Sequence, residues 1–433
     1  MRIFYFLLIT IGSLLFASCS APEQPALQHP AWSRDAIIYE VNVRQYTPEG
    51  TFNAFAEHLP RLKELGVDIL WFMPIHPIGE ESRKGPLGSY YSVRDYKAVN
   101  PEFGTIDDFK NVVGQAHELG FKVIIDWVAN HTSRDAQWIN NEGWYLKDST
   151  GRIKMLYDWT DVAELNYDNP DMRRAMADAM LFWVQEADID GFRCDVAVEV
   201  PVDFWETTVT EMKAVKPDLF MLAEAEAPEL QQKAFDMYYA WDFHAVMNKV
   251  AQGKETVDAL RSSWQRMNGR FPLFSIPMFF TSNHDENSWN GTEFERMGDA
   301  AKVFAALTYI LPGMPLIYNG QEAGFNRRLE FFTKDEIDWT DTGGYFAFYR
   351  ELNQLRKNNP ALYSQPEGGA LHEITNSVPA SVFTCERSVE GNKVIAVFNL
   401  SNALQQVAFE GTAEEELQNG LYLQPWEYKV YVK

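Results

Sequence analysis

Four short apolar runs in this chain end on charged residues. One closes Asp126-Trp127-Val128-Ala129-Asn130-His131, and a second holds Gly191-Phe192-Arg193-Cys194-Asp195. A third ends Ala223-Glu224 and the fourth Ser282-Asn283-His284-Asp285. A charge embedded in an apolar strand is costly unless it is paired or put to use. A lone Asp there reads first as half of a buried ion pair; four such ends brought to one face read as a site. The period of two along a strand puts Arg193 and Asp195 on one side of their run, with Phe192 and Cys194 on the other. A fixed cation that close favours the ionised carboxyl by roughly 1 to 3 pKa units, so Asp195 is expected to titrate low. Glu224, in Met221-Leu222-Ala223-Glu224, has apolar neighbours and nearby carboxyls that should raise it. One low and one raised carboxyl make a nucleophile and a general acid. Asp285 would supply the neighbouring charge that keeps Glu224 protonated. That is the chemistry of retaining glycoside cleavage through an oxocarbenium-like transition state.

Strand ends can share a face only if the strands run parallel. Short β-branched or aromatic runs alternate with amphipathic stretches from about residue 36 to 362. The predicted strands are Ile37 to Arg44, Ile69 to Pro74, Lys122 to Val128, Gly191 to Ala197, Leu219 to Glu224, Phe235 to Trp241, Ile276 to Ser282 and Met314 to Asn319. The predicted helices are Ala54 to Leu65, Ile106 to Leu119, Met172 to Ala187, Phe204 to Val215, Val257 to Met267, Ala300 to Leu311 and Phe346 to Lys357, and Gly66 and Gly120 mark two of their ends. The pattern predicts an α/β fold, a (β/α)8 TIM barrel over 31–128 and 170–362. Two intervals, 76–105 and 129–169, are too long for plain connections and both follow strands, so both should rise from the active face. The second is read as a short inserted subdomain after strand three. After 362 short alternating runs take over, and 363–433 reads as a C-terminal antiparallel β-sandwich domain.

With those segments in place, the chain resembles the α-amylase family, glycoside hydrolase family 13. DWVANH, GFRCD, AE and SNHD look like its four sequence regions, in its order and at the appropriate strand ends. Residue by residue, the resemblance implies Asp195 as nucleophile, Glu224 as acid/base and Asp285 as transition-state stabiliser. It also implies that His131, Arg193 and His284 surround the sugar at the cleavage point. Gly88-Ser89-Tyr90-Tyr91-Ser92-Val93-Arg94-Asp95-Tyr96 resembles the segment whose Tyr, here Tyr91, stacks on that sugar. Asp126 and Asn130 look like supporting residues of the first region. Trp144, Tyr145, Tyr157 and Trp159 in the inserted subdomain are candidate sugar platforms; a subdomain that small also needs aromatics to fold. The implied reaction is retaining hydrolysis of α-glucosidic bonds, α-1,4 foremost, in starch-derived glucans or maltooligosaccharides. A transglycosylase on the same scaffold and a non-catalytic glucan-binding protein are the alternatives, the last opposed by the presence of all three carboxylates. Departures from the family pattern are Val198-Glu199 in place of a common Lys-His pair, Val196 after the nucleophile, and Glu164 where Asp is frequent. A calcium ion commonly bridges barrel and excursion in that family, and Asn130 and Glu164 are the candidate oxygen ligands. No organic cofactor is expected.

The first residues read Met1-Arg2, then an apolar run from Ile3 to Ala17, of signal-peptide length. It ends Leu15-Phe16-Ala17-Ser18-Cys19, which resembles a bacterial lipobox. We expect residues 1–18 to be a signal peptide, Cys19 to be lipidated and 19–30 to be a polar, Pro-rich tether. The exported protein would be held to a bacterial outer membrane by that lipid alone, facing the periplasm. A formal charge of −23 disfavours nucleic acid as a partner. Aromatic content of 14% is a mild hint of sugar stacking. Cys194 and Cys385 are read as packing residues, and no zinc spacing, G-x-G-x-x-G or P-loop pattern occurs.

Overall fold

In the computed structural model, which describes residues 27–409, 411 and 414–433, eight parallel strands close into a barrel. They are β1 (Ile38–Val41), β2 (Ile69–Phe72), β3 (Lys122–Trp127), β4 (Gly191–Cys194), β5 (Phe220–Ala223), β6 (Met237–Tyr239), β7 (Ile276–Phe279) and β8 (Met314–Tyr318). Closure comes from β1, which pairs with β2 through Ile38↔Ile69 and with β8 through Ile38↔Leu316. Alternate residues separate two layers. Ile38, Ile69, Trp71, Ile124, Phe220, Leu222, Met278 and Leu316 fill the lumen, while Tyr39, Leu70, Ile125 and Phe192 pack outward against the helices. Gly191 is needed where β4 starts, because a Cβ there would lie 1.9 Å from the Phe220 carbonyl oxygen of β5.

The helices follow the predicted rhythm, with corrections at particular places. The stretch from 54 to 65 is two helices, Phe52–Ala56 and Leu59–Leu65. Pro60 lacks the N–H a continuous helix would use, so the helix restarts with Pro60 in its first turn. The sixth strand stops at Tyr239, and a helix absent from the sequence reading, Trp241–Ala251, follows at once. Its buried stripe of Phe243, His244, Val246, Met247 and Val250 has helical spacing. The first and fourth strands also end early, at Val41 and Cys194, so that Asn42 and Asp195 stand just beyond the pleat. Elsewhere the local rules hold. A reciprocal Thr105–Asp108 capping box starts Ile106–Glu118, Asn169 caps Pro170–Glu186, and Gly66 ends Leu59–Leu65 at φ 91°.

The excursion after β3 is built on an antiparallel pair, His131–Ser133 with Val162–Glu164. After the barrel, Leu371–Glu373, Val382–Val389, Asn392–Asn399 and Tyr428–Val432 form one antiparallel sheet and Gln405–Val407 with Leu421–Leu423 a second. Val382, Ile395, Val397, Val407 and Leu423 pack together as a core of their own. Arg387 ties the first sheet to the barrel, donating from its buried guanidinium to the carbonyls of Ile310, Leu311, Leu362 and Tyr363. The signal peptide and Cys19 lie outside the described residues. The expected tether ends sooner than residue 30, because His29 is docked on Asp236 Oδ1 at 2.9 Å and on the Phe274 carbonyl at 2.6 Å. Among the described residues no helix is long and apolar enough to cross a membrane.

Candidate active site

At the C-terminal mouth of the barrel, Arg193 is the residue about which the others are arranged. Fully buried on β4, its guanidinium lies 5.2 Å from the ring of Trp71, 5.6 Å from Tyr239 and 5.7 Å from Tyr91. Nη1 donates to Asp126 Oδ1 at 2.8 Å and to Asp195 Oδ1 at 3.1 Å. Nη2 lies 2.9 Å from Glu224 Oε2 as an ion pair outside hydrogen-bond geometry. One cation therefore spans the ends of β3, β4 and β5. Burial opposes charge on Arg193, but Asp126 and Glu224 outweigh it and keep the group a cation.

His284, in the segment beyond β7, makes the second cation. Nδ1 meets Glu40 Oε1 at 2.5 Å, and Nε2 lies 2.7 Å from Tyr91 Oη and 3.4 Å from Asp285 Oδ2. Burial would lower its pKa, yet Asp285 and Glu40 together raise it to about 9. Both ring nitrogens then carry hydrogen at neutral pH. Nδ1–H points to Glu40 and Nε2–H to Tyr91, whose hydroxyl donates in turn to Asp126 Oδ2 at 2.9 Å. Trp71 Nε1 donates to the same oxygen at 3.2 Å. Tyr91 stacks on His284, ring centroids 5.4 Å apart.

The electrostatics correct one sequence expectation. Asp195 is not held low by Arg193. Burial pushes its carboxyl well above the ordinary range, the Glu224 charge adds to that, and Arg193 only opposes them. Glu224 is also raised, by burial first, with Arg193 pulling it down. Glu40, Asp126, Asp195, Glu224 and Asp285 share two cations, so in the substrate-free site the Asp195–Glu224 pair titrates as a unit and retains a proton.

The cleft over these groups has a volume of about 590 Å³, and Tyr91, His131, Asp195, Glu224, His284 and Asp285 all line it. The three carboxylates, Tyr91, His131 and His284 thus come to one place, with Arg193 in contact with Asp195 and Glu224. His131 is buried and neutral, its pKa lowered to about 4 by burial, and its Nε2 has no hydrogen-bond partner among the described residues. The four aromatics of the excursion divide. Trp144 packs on Trp138, and Tyr145 is buried with its hydroxyl 3.0 Å from Thr132 Oγ1, so both serve packing. Trp159 lines the cleft next to His131, and the exposed Tyr157 packs on Trp159 while donating to Glu199 at 2.8 Å.

Sequence reasoning missed Glu40, although IIYEVNVR shows a carboxylate inside an apolar strand like the others. It also missed the aromatic wall formed by Trp289, Phe331 and Phe332, whose rings are 5.1 to 5.9 Å apart. Trp289 is presented by a π-helical turn, Glu286–Asn290, directly after Asp285.

The two expected calcium ligands have protein neighbours of their own. Asn130 and Glu164 flank the same strand pair, but Lys154 Nζ holds the Glu164 carboxylate at 3.4 Å. Asn130 Nδ2 lies against His131 Nδ1. Calcium takes six to eight oxygens, carboxylates prominent among them, and among the described residues no three acidic or histidine side chains cluster for a metal. A chelator is accordingly expected to leave Tm unchanged, read by calorimetry with and without excess EDTA; a fall restored by added calcium would contradict this.

Comparison with known proteins adds an independent line. The family profile described as "Alpha amylase, catalytic domain" matches residues 32–143 and 139–343. Alpha-amylase MalA of Haloarcula japonica is 29% identical over 409 residues, 91% of this chain; the chain spans 59% of the length of that relative. Among solved structures, an alpha-amylase from Lactobacillus plantarum superposes with TM-score 0.83 at 31% identity, covering 92% of this chain and 99% of that one. A maltogenic alpha-amylase, AmyB, from Thermotoga neapolitana gives TM-score 0.81 at 29% identity, with 92% and 96% covered.

Proposed function

This chain belongs to the alpha-amylase family, and from that premise we propose that it is a retaining glycoside hydrolase acting on α-glucosidic bonds, α-1,4 foremost, of maltooligosaccharides and starch-derived glucans. The observation that carries the reading is the pairing of Asp195 and Glu224 on one guanidinium in a cleft that also holds Asp285. That bridging fits a retaining pair, whose carboxyls work roughly 5 to 5.5 Å apart.

In this mechanism Glu224 gives its proton to the leaving glycosidic oxygen while ionised Asp195 attacks the anomeric carbon. The glycosyl–Asp195 ester forms, and the ionised Glu224 then takes a proton from water as that water opens the ester. The positive charge that develops at the anomeric carbon in the transition state favours an ionised Asp195, while the leaving oxygen takes the proton from Glu224. Asp285 grips hydroxyls of the distorted ring with the His284 cation beside it, His131 adds its unpartnered Nε2, and Tyr91 supplies the flat face beneath the ring.

The test is product analysis on maltoheptaose and an α-1,6 panel, with the anomer followed by NMR from the first turnovers. Shorter chains released as the α-anomer are expected. Initial release of the β-anomer, or products longer than the substrate, would overturn it. Trp159→Ala should raise KM for maltoheptaose about tenfold by removing a stacking face, with kcat changed far less, in steady-state assays. For location we propose an exported protein lipidated at Cys19 and anchored to the outer membrane, supported by the Leu15-Phe16-Ala17-Ser18-Cys19 run; fatty-acid labelling of wild type against Cys19→Ala reads it.

A further inference from the structure

Val196, next to Asp195, has φ 35° and ψ 48°. A β-branched residue in the left-handed region is an outlier, and such strain gathers where the surroundings enforce a working geometry. The enforcement is visible. Asp195 N–H still pairs with the Trp127 carbonyl of β3 at 2.9 Å, and Glu224 N–H with the Cys194 carbonyl at 3.0 Å. Immediately beyond, Ala197–Glu199 turn tightly, with Glu199 N–H on the Val196 carbonyl and Trp205 Nε1 on the Ala197 carbonyl. The chain must leave β4 sharply between those fixed points, and Val196 absorbs the bend.

The bend gives the Val196 N–H a different acceptor. In a parallel strand successive N–H groups point to opposite neighbours, so after Asp195 faces β3 the next N–H faces β5. A continued ladder would offer it a backbone carbonyl; here it donates to Glu224 Oε2 at 2.9 Å. With the charge of Arg193 Nη2 also 2.9 Å from that atom, Oε2 is the oxygen on which negative charge is best held, and a proton on this carboxyl belongs on Oε1. We propose that the strained Val196 amide is a positioning residue for Glu224: it orients the transferable proton on Oε1 toward the leaving group and takes up the negative charge left on Oε2 as that proton departs. This rests on the reading of Glu224 as the acid. The other groups facing Glu224 are Arg193 and Asp195 from β4, Tyr239 from β6, and His284 and Asp285 beyond β7, and none of them is altered by deleting one backbone N–H.

The experiment replaces Val196 by its α-hydroxy acid, which turns the 195–196 peptide into an ester and removes that N–H alone. Val196→Gly, which keeps the N–H and tolerates the left-handed φ, is the companion variant. Two substrates are compared: maltotriose, whose leaving sugar needs a proton, and α-maltosyl fluoride, whose fluoride does not. For the ester protein on maltotriose the alkaline limb of kcat/KM should move up by about one pH unit, because the ionised form of Glu224 loses a donor. The plateau should fall about tenfold, with no comparable loss on the fluoride. Val196→Gly should keep the wild-type limb. An unmoved limb in the ester protein, or equal loss on both substrates, overturns the proposal. A wild-type enzyme that cleaves neither substrate would instead overturn the glycosidase reading on which it stands.

Discussion

Asp195→Asn is expected to lower kcat on maltoheptaose on the order of 10⁵-fold, the scale seen when a covalent nucleophile is removed, or about 7 kcal/mol of barrier. The amide cannot form the glycosyl ester, yet it keeps the shape of the side chain and can accept from Arg193 Nη1, now at 3.1 Å from Asp195 Oδ1. The loss should therefore be one of chemistry and not of folding, and the variant's stability supplies a second check. Burial and Glu224 hold the Asp195 carboxyl well above its unfolded value, so the folded state binds this proton more tightly than the unfolded chain does. Such a group makes stability fall as pH rises from the unfolded pKa through the folded one. Removing it should raise Tm at neutral pH, with the gain vanishing below about pH 4, where both states are protonated. Starch hydrolysis undiminished in this variant would refute the assignment outright.

The sequence made some of this legible for one physical reason: barrel strands are buried on both faces, so a charge within one stands out against an apolar run. Asp126, Arg193, Asp195, Glu224 and His284 were visible that way, and the strand period placed Arg193 beside Asp195. The same reasoning left the titration of Asp195 wrong, because it counted one nearby cation and not the carboxyls that arrive from other strands. Glu224 and Asp126 reach Asp195 only after the barrel closes, and no local window contains them. The Trp289, Phe331 and Phe332 wall is hidden for a related reason, since loops after β7 and β8 meet in space while lying some forty residues apart in sequence. Aromatic type alone could not separate Trp159 in the cleft from Trp144 in the core, because both have the composition of a small packed subdomain. The helix Trp241–Ala251 was lost when the strand was read through Trp241, although its apolar spacing was present.

Glu40→Gln should produce the second large effect, and it carries a pH signature that a merely structural role would lack. Glu40 is fully buried at the end of β1, with His284 Nδ1 at 2.5 Å. His284 is raised from 6.5 to about 9 against the effect of burial, Asp285 and Glu40 being the causes. A folded pKa above the unfolded one means this stabilisation is fully present below about pH 6.5 and is lost as pH rises through about 9. The shift corresponds to about 3 kcal/mol. Gln at position 40 preserves an acceptor but not the charge, so the His284 pKa should fall and the whole window should move to lower pH. Asp285 is the larger cause and burial raises the Glu40 carboxyl itself, so the variant is expected to lose only part of that stabilisation at pH 6, with the difference from wild type shrinking as pH passes 9. Activity should follow, because only protonated His284 donates through both ring nitrogens at once and stands as a cation beside Asp285. At pH 8 kcat/KM should drop about 100-fold, while near pH 6 the loss should be smaller, the remaining Asp285 still favouring the imidazolium. Denaturation curves across pH and the His284 ring resonances read the two halves separately. A uniform loss of activity at every pH, with the His284 titration unmoved, would show that Glu40 fills space and does not set the charge of the site.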